Sequence, residues 1–239
     1  MTSDKNLEQN LTDLTVAVGK SVVGIVPIIG PFLTELVGTL IPNQRIDRLT
    51  EYVKILDEKL NRLPIVQINN LLTDHNFIDL LEEGFVQATR AITKERREYI
   101  ASIISNGISD ETIDLIESKY LLRLLQELNE IEIIWLRSYC TISNEIDVAF
   151  RNKHINVLTP ISASKGSDNQ THNKAAIQSS YQEHLERLEL IKKNIRVDVI
   201  AKRPVFNRHT GEPATTGMSI TILGKLLLSH IGMIDLNTK

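Results

Sequence analysis

NQRIDRLTEYVKILDEKLNRLP, Asn43–Pro64, is the stretch on which the fold class turns. Ile46, Leu49, Val53, Leu56, Leu60 and Leu63 are spaced alternately three and four apart, so they line one face of a helix. Arg45, Asp47, Arg48, Glu51, Lys54, Asp57, Glu58 and Lys59 cover the other faces with both signs of charge, and Pro64 ends the run. A stripe of this kind has two uses. It packs inside the chain as one helix of a bundle, or it forms an oligomerisation seam between copies through Ile46, Leu49, Val53, Leu56 and Leu60. The run is shorter than the three to four heptads that mark a coiled coil, which favours the bundle.

Downstream, the helical period continues. Phe77, Leu80, Leu81 and Phe85 line a helix expected over Asn76–Ile92, and Thr93 suits the cap of the next, KERREYIASIISNG, with Gly107 as its stop. Ser109-Asp110 is read as opening a helix carrying Ile113, Ile116, Leu121, Leu124, Leu125 and Leu128. Asn129 with Glu132 three residues on has the form of a capping box. The charged run Lys94–Glu98 reads as a solvated helix face. Amphipathic helices with short connections imply a mostly α chain, built as an antiparallel helical bundle.

Upstream lies SVVGIVPIIGPFLTELVGTLIPNQ, Ser21–Gln44, in which Glu35 is the only charge. Pro27 and Pro31 exclude a single straight helix and predict a helical hairpin hinged between them. One reading makes it the buried heart of the bundle. The other makes it a membrane-active or self-associating segment through Val22, Val23, Ile25, Pro27, Ile28, Ile29, Pro31, Phe32, Leu33 and Leu36. Lys20 and Glu35 argue against permanent spanning.

After the helical middle, Thr141–Asn173 reads as a loop insertion holding Pro160 and the polar run SASKGSDNQTHN. A helix is expected over Ala175–Leu190. Alternation at Ile195, Val197 and Val199, then the breaker-rich RHTGEPATTG, then Met218–Thr221, predict a β-hairpin before a closing helix. HLERLELIKK (His184–Lys193) and ITILGKLLLSHIG (Ile220–Gly232) resemble the passages into and out of the wing of a winged helix-turn-helix. The expected domains are thus 1–64, the apolar hairpin and heptad helix; 65–128, helical; and 129–239, winged-helix-like, carrying the one β-hairpin with an insertion at about 141–173.

Charge separates these parts. Residues 181–239 hold nine Lys and Arg against six Asp and Glu, although the whole chain carries −3. Lys192, Lys193, Arg196, Lys202, Arg203 and Arg208 gather around the hairpin and are the nucleic-acid candidates. The helix before them bears Glu183 and Glu186 and only Arg187 as a cation, which favours a protein partner or structural use.

No chemistry-bearing motif is found. Gly19-Lys20-Ser21 lacks the earlier glycine of a phosphate loop, and no HExxH or GxSxG occurs. The six histidines lack ligand spacing, and the single cysteine, Cys140, reads as a core residue. The expectation is a non-enzyme without cofactor, metal or small-molecule substrate.

LLEEGFVQATRAITKERREYIASIISNGIS (Leu80–Ser109), LLRLLQELNEIEIIWL (Leu121–Leu136) and the two C-terminal passages together resemble bacterial abortive-infection proteins of the Abi-alpha type. The resemblance implies a cytoplasmic, non-catalytic antiviral defence or stress effector; membrane association on activation is expected of the Ser21–Pro42 segment. The alternative is a DNA-binding transcriptional regulator with a helical oligomerisation domain.

Overall fold

The structure, a computed structural model, describes residues 45–62, 71, 73–109, 113–141, 144–208 and 210–235. The apolar segment with Val22, Val23, Ile25, Pro27, Ile28, Ile29, Pro31, Phe32, Leu33 and Leu36 lies outside them, as does the side chain of Ile46. Among the described residues the protein is mostly helical, with one two-stranded antiparallel hairpin. Contacts divide it into two units: Met1–Glu127 with His230–Gly232, and Leu128–Ser229 with Met233–Lys239.

Unit 1 holds α1 (Ile46–Leu60), α2 (His75–Arg90), α3 (Lys94–Ser109) and α4 (Leu115–Glu127). Here α1 packs on α2 and α3, and α4 packs on the same two helices, so each stripe finds a partner. Leu49, Val53, Leu56 and Leu60 are buried, and Tyr52 joins them with its ring edge-on to Phe85 at 5.5 Å. These four positions of the heptad stripe are therefore buried within the chain. Burial pushes the Tyr52 hydroxyl far up, and it has no hydrogen-bond partner among the described residues.

The helix starts follow capping chemistry. The Asp74 carboxylate accepts the Asn76 amide at 2.8 Å, and Thr93 Oγ1 accepts that of Arg96 at 3.2 Å. Two expectations shift here. Gly107 does not stop α3, which runs on to Ser109; the glycine instead admits Ser118 of α4, whose Cβ lies 2.7 Å from where a Gly107 Cβ would stand. The next helix opens at Asp114 rather than Ser109-Asp110, because Asp114 and Glu117 exchange backbone-to-carboxylate bonds at 2.8 Å each. Residues 110–112 lie outside the described set.

Lys94–Glu98 is not a uniformly solvated face. Lys94 and Glu98 do form an exposed pair at 3.6 Å, but Arg97 is buried, donating to the Ala91 carbonyl at 2.8 Å and pairing with Glu51 of α1. A guanidinium suits this place because its planar fork serves a carbonyl and a carboxylate together.

Unit 2 holds α5 (Glu130–Ser138), α6 (Asn144–Lys153), α7 (Ile155–Leu158), α8 (Asn169–Arg187), β1 (Ile191–Ile195), β2 (Thr215–Ile220) and most of α9 (Ile222–His230). The expected capping box is present, with Asn129 and Glu132 each accepting the other's amide at 2.9 Å. Arg137 then docks α6 against the end of α5. It donates to the Cys140 carbonyl at 2.9 Å and to Asp147 at 3.1 Å, and stands over the Phe150 ring. The reading of 141–173 as a loop gives way to α6, α7 and the first turn of α8, which Asp168 caps through the Thr171 amide at 2.7 Å. Leu185, Leu190, Ile191, Leu227 and Leu228 are buried where α8, the hairpin base and α9 meet. Gly224 lets α9 close on the Leu190 carbonyl, which accepts the Thr221 amide at 3.0 Å.

Candidate functional site

The hairpin begins further upstream than the alternation at Ile195, Val197 and Val199 predicts. Its paired strands run Ile191 opposite Ile220 to Ile195 opposite Thr215, with a register shift after Asn194. The shift leaves Thr216 out of the ladder, and Gly217 supplies a φ of +149° that suits glycine. Ser219 donates to the Asn194 side chain at 2.8 Å and steadies the distorted pair.

Beyond the shift the chain branches instead of turning once. Arg196 donates its amide to Ala214 at 2.8 Å, and its carbonyl accepts from Val205 at 2.9 Å; Ala214 closes the set by donating to Val205 at 2.7 Å. Two short loops leave this junction. One spans Asp198–Arg203, behind the bridge between Val197 and Pro204; the other spans Asn207–Glu212, behind the bridge between Phe206 and Pro213. Each proline takes a place where no ladder N–H is needed.

The Asp198–Arg203 loop is held from three directions. The Asp198 amide donates to the Arg203 carbonyl at 2.9 Å, and the Lys202 amide donates back to the Asp198 carbonyl at 2.9 Å. The Asp198 carboxylate accepts both the Ala201 amide, at 2.8 Å, and the Ile200 amide, at 2.9 Å. Those two bonds, aided by the nearby Arg196 charge, hold its carboxyl below the usual aspartate range. Lys202 adopts a left-handed φ of +50°, which this network sustains.

What the loop displays is unusual for a solvated turn. Val199 is 89% exposed and Ile200 95% exposed, and further down the hairpin Ile195, Val197 and Phe206 are each about half exposed. Among these stand the cations found by charge counting: Lys192, Lys193, Arg196, Lys202, Arg203 and Arg208 are all exposed. They are not equivalent. Lys193 pairs with Glu186 of α8 at 2.6 Å, a contact that raises its pKa and sets a negative charge beside it. The other five form no salt bridge among the described residues. Val199, Ile200 and Phe206 were not among the expected contact residues. For Val199 the signal is the alternation of Val197 and Val199 with Arg196 and Asp198, but alternation alone implies one buried face, and here that face is open; Ile200 and Phe206 lie outside the alternation.

Leu49, Val53, Leu56 and Leu60 lie inside unit 1. Burial pushes the Cys140 thiol up, against the lowering influence of Arg137. Among the described residues no group of three or more His, Cys, Asp or Glu is placed to hold a metal ion. A cleft of about 640 Å³ under the Asn207–Glu212 loop is lined by Lys192 and Lys193 but also by Glu186 and Glu212, so its charges offset one another. No described helix is long and apolar enough to cross a membrane.

Comparison with protein-family models, with curated proteins and with solved structures finds no match to this chain.

Proposed function

We propose that this chain is a non-enzymatic bacterial defence or stress effector that works by binding. Its Gly/Pro-rich segment around Val22–Leu36 engages a membrane or a second copy of the chain, and a C-terminal winged-helix-like interaction domain controls that engagement. The observation that carries the reading is the far end of the hairpin, where Val199 and Ile200 stand almost fully exposed beside cations. Exposed aliphatic surface of this kind is suited to contact with a partner. Two further features support it. The order of α5, α6, α8, hairpin and α9 follows that of a winged helix, with α6 in the position of the second helix. The apolar segment carries more glycine and proline than a stable water-soluble helix favours.

In this reading the protein resides in the cytoplasm and reaches the membrane on activation. The test is flotation of the full chain with liposomes, and dye leakage from them, beside a form lacking residues 1–42 and the Ile28→Asp/Phe32→Asp variant. Association and leakage that both altered forms lose support it. Wild-type protein that neither floats nor self-associates by light scattering would sink it.

A DNA-binding regulator is the second reading, favoured by the exposure of Lys192, Arg196, Lys202, Arg203 and Arg208. Counting against it, Lys193 is engaged by Glu186, and α8 would bring Glu183 and Glu186 towards phosphates. Gel shift at two salt concentrations decides it. Lys202→Ala/Arg203→Ala should weaken binding across sequences and lower the salt slope by about 2.

A further inference from the structure

The proposed function puts membrane contact in the N-terminal segment; the hairpin adds a separate one. Its Asp198–Arg203 loop exposes Val199 and Ile200 at 89% and 95%. Scattered exposed aliphatics need no explanation, but two adjacent branched residues at a loop apex do. A flexible loop could fold them back onto the hairpin. This one is held out by the Asp198 carboxylate on the Ile200 and Ala201 amides, and by the backbone bonds between Asp198 and Arg203. The aliphatic pair is therefore displayed by a pre-formed loop, which lowers the ordering cost of binding.

The charges decide what such a display fits. Arg203 is opposite Asp198 in the backbone pairing, Lys202 is in the loop itself, and Arg196 is close enough to influence the Asp198 carboxyl. The one acid at the apex turns Oδ1 to the Ile200 and Ala201 amides, and three cations outnumber its single charge, leaving a net cationic collar around an apolar point. An anionic bilayer offers the matching order, with phosphates outside and hydrocarbon within. Duplex DNA matches the collar but not the point, since valine and isoleucine carry no group that bonds a base edge.

We infer that the Asp198–Arg203 loop docks on an anionic phospholipid surface, with Val199 and Ile200 entering the interfacial layer and Arg196, Lys202 and Arg203 meeting lipid phosphates.

The experiment uses the full chain carrying Ile28→Asp/Phe32→Asp, so that the N-terminal segment contributes nothing. Flotation is compared with vesicles of phosphatidylglycerol and phosphatidylcholine and with phosphatidylcholine alone. Binding is expected to the anionic vesicles only, falling as salt rises. Val199→Asp/Ile200→Asp should lower it about 10-fold or more, and Lys202→Ala and Arg203→Ala about 5-fold each. All these positions are exposed, and unchanged circular dichroism melts verify that each variant is folded. The inference is overturned if this background does not bind anionic vesicles, or if the apex variants bind as it does. It is equally overturned if the apex variants lose affinity for duplex DNA while keeping it for vesicles. Loss of binding in this background with retention by the unaltered chain leaves the N-terminal function standing, so the two failures are distinct.

Discussion

The Glu132 carboxylate serves two elements at once: Oε1 lies 2.6 Å from Nδ1 of His184 on α8, while Oε2 accepts the Asn129 amide that starts α5. Glu132 is almost fully buried, so both of its oxygens need these partners. Glu132→Ala is expected to destabilise unit 2 by about 2 kcal/mol, combining a lost cap with a lost charge-assisted contact. His184→Ala should cost about 1 kcal/mol. Urea unfolding of both single variants and the double variant checks this; strict additivity would show that the two side chains do not interact in solution.

Arg97 is a buried charge of unit 1, and its partner Glu51 is 41% exposed. Removing one member of a fully buried pair costs about 3–5 kcal/mol. Glu51 can regain water, so Arg97→Ala should cost about 2 kcal/mol, largely through the orphaned Ala91 carbonyl and lost packing. Arg97→Lys should recover little, because an ammonium lacks the fork that spans both acceptors. Thermal melts with no shift for Arg97→Ala would contradict its burial.

Gly107→Ala pits two effects against each other. Alanine in a helix interior gains about 1 kcal/mol over glycine. The new Cβ, however, would sit 2.7 Å from Ser118 Cβ, and overpacking costs about 1–3 kcal/mol. Net destabilisation of about 1 kcal/mol is expected in urea. The double variant Gly107→Ala/Ser118→Gly should regain part of it, and a stabilised single variant would mean that α3 and α4 separate easily.

The hairpin loop should respond to acid. Hydrogen bonds to the charged form hold the Asp198 carboxyl below its ordinary range, so their contribution is complete above that range and lost as pH falls through the depressed value. The amide resonances of Ile200 and Ala201 should titrate together at a pH below that of a free aspartate. Asp198→Asn should keep the turn and remove the titration. Amides that stay constant down to strong acid would refute the turn bonds.

Cys140 is buried and its thiol pushed up, so little thiolate is present at neutral pH. Ellman's reagent should react with it on unfolding in urea and scarcely at all in the folded protein. Rapid native labelling would show that the contact between α5 and α6 opens readily.

Much of unit 1 was legible because its signals are local. Leu49, Val53, Leu56 and Leu60 repeat at the helical period, and Thr93 stands where a capping oxygen is needed, as Asn129 does at the start of unit 2. In unit 2, α6 and α7 left no such trace. Ile146, Val148 and Ile155 are each about half exposed, so no buried stripe marks α6 or α7. Arg97 was equally hidden. Its surroundings in sequence are charged, and only the packing of α1 against α3 brings Glu51 to it.

The hairpin divides in the same way. Composition alone places a cluster of cations after Glu189, since charge is a property of residues and needs no folding to be counted. That Val199 and Ile200 stand outermost among them was decided by tertiary structure, through bonds linking Arg196 to Val205 and Ala214 across the chain. Alternation specifies which residues share a face; whether anything covers that face depends on partners distant in sequence. Here the described residues leave it open, which is what turns a basic hairpin into a surface combining charge with an apolar point.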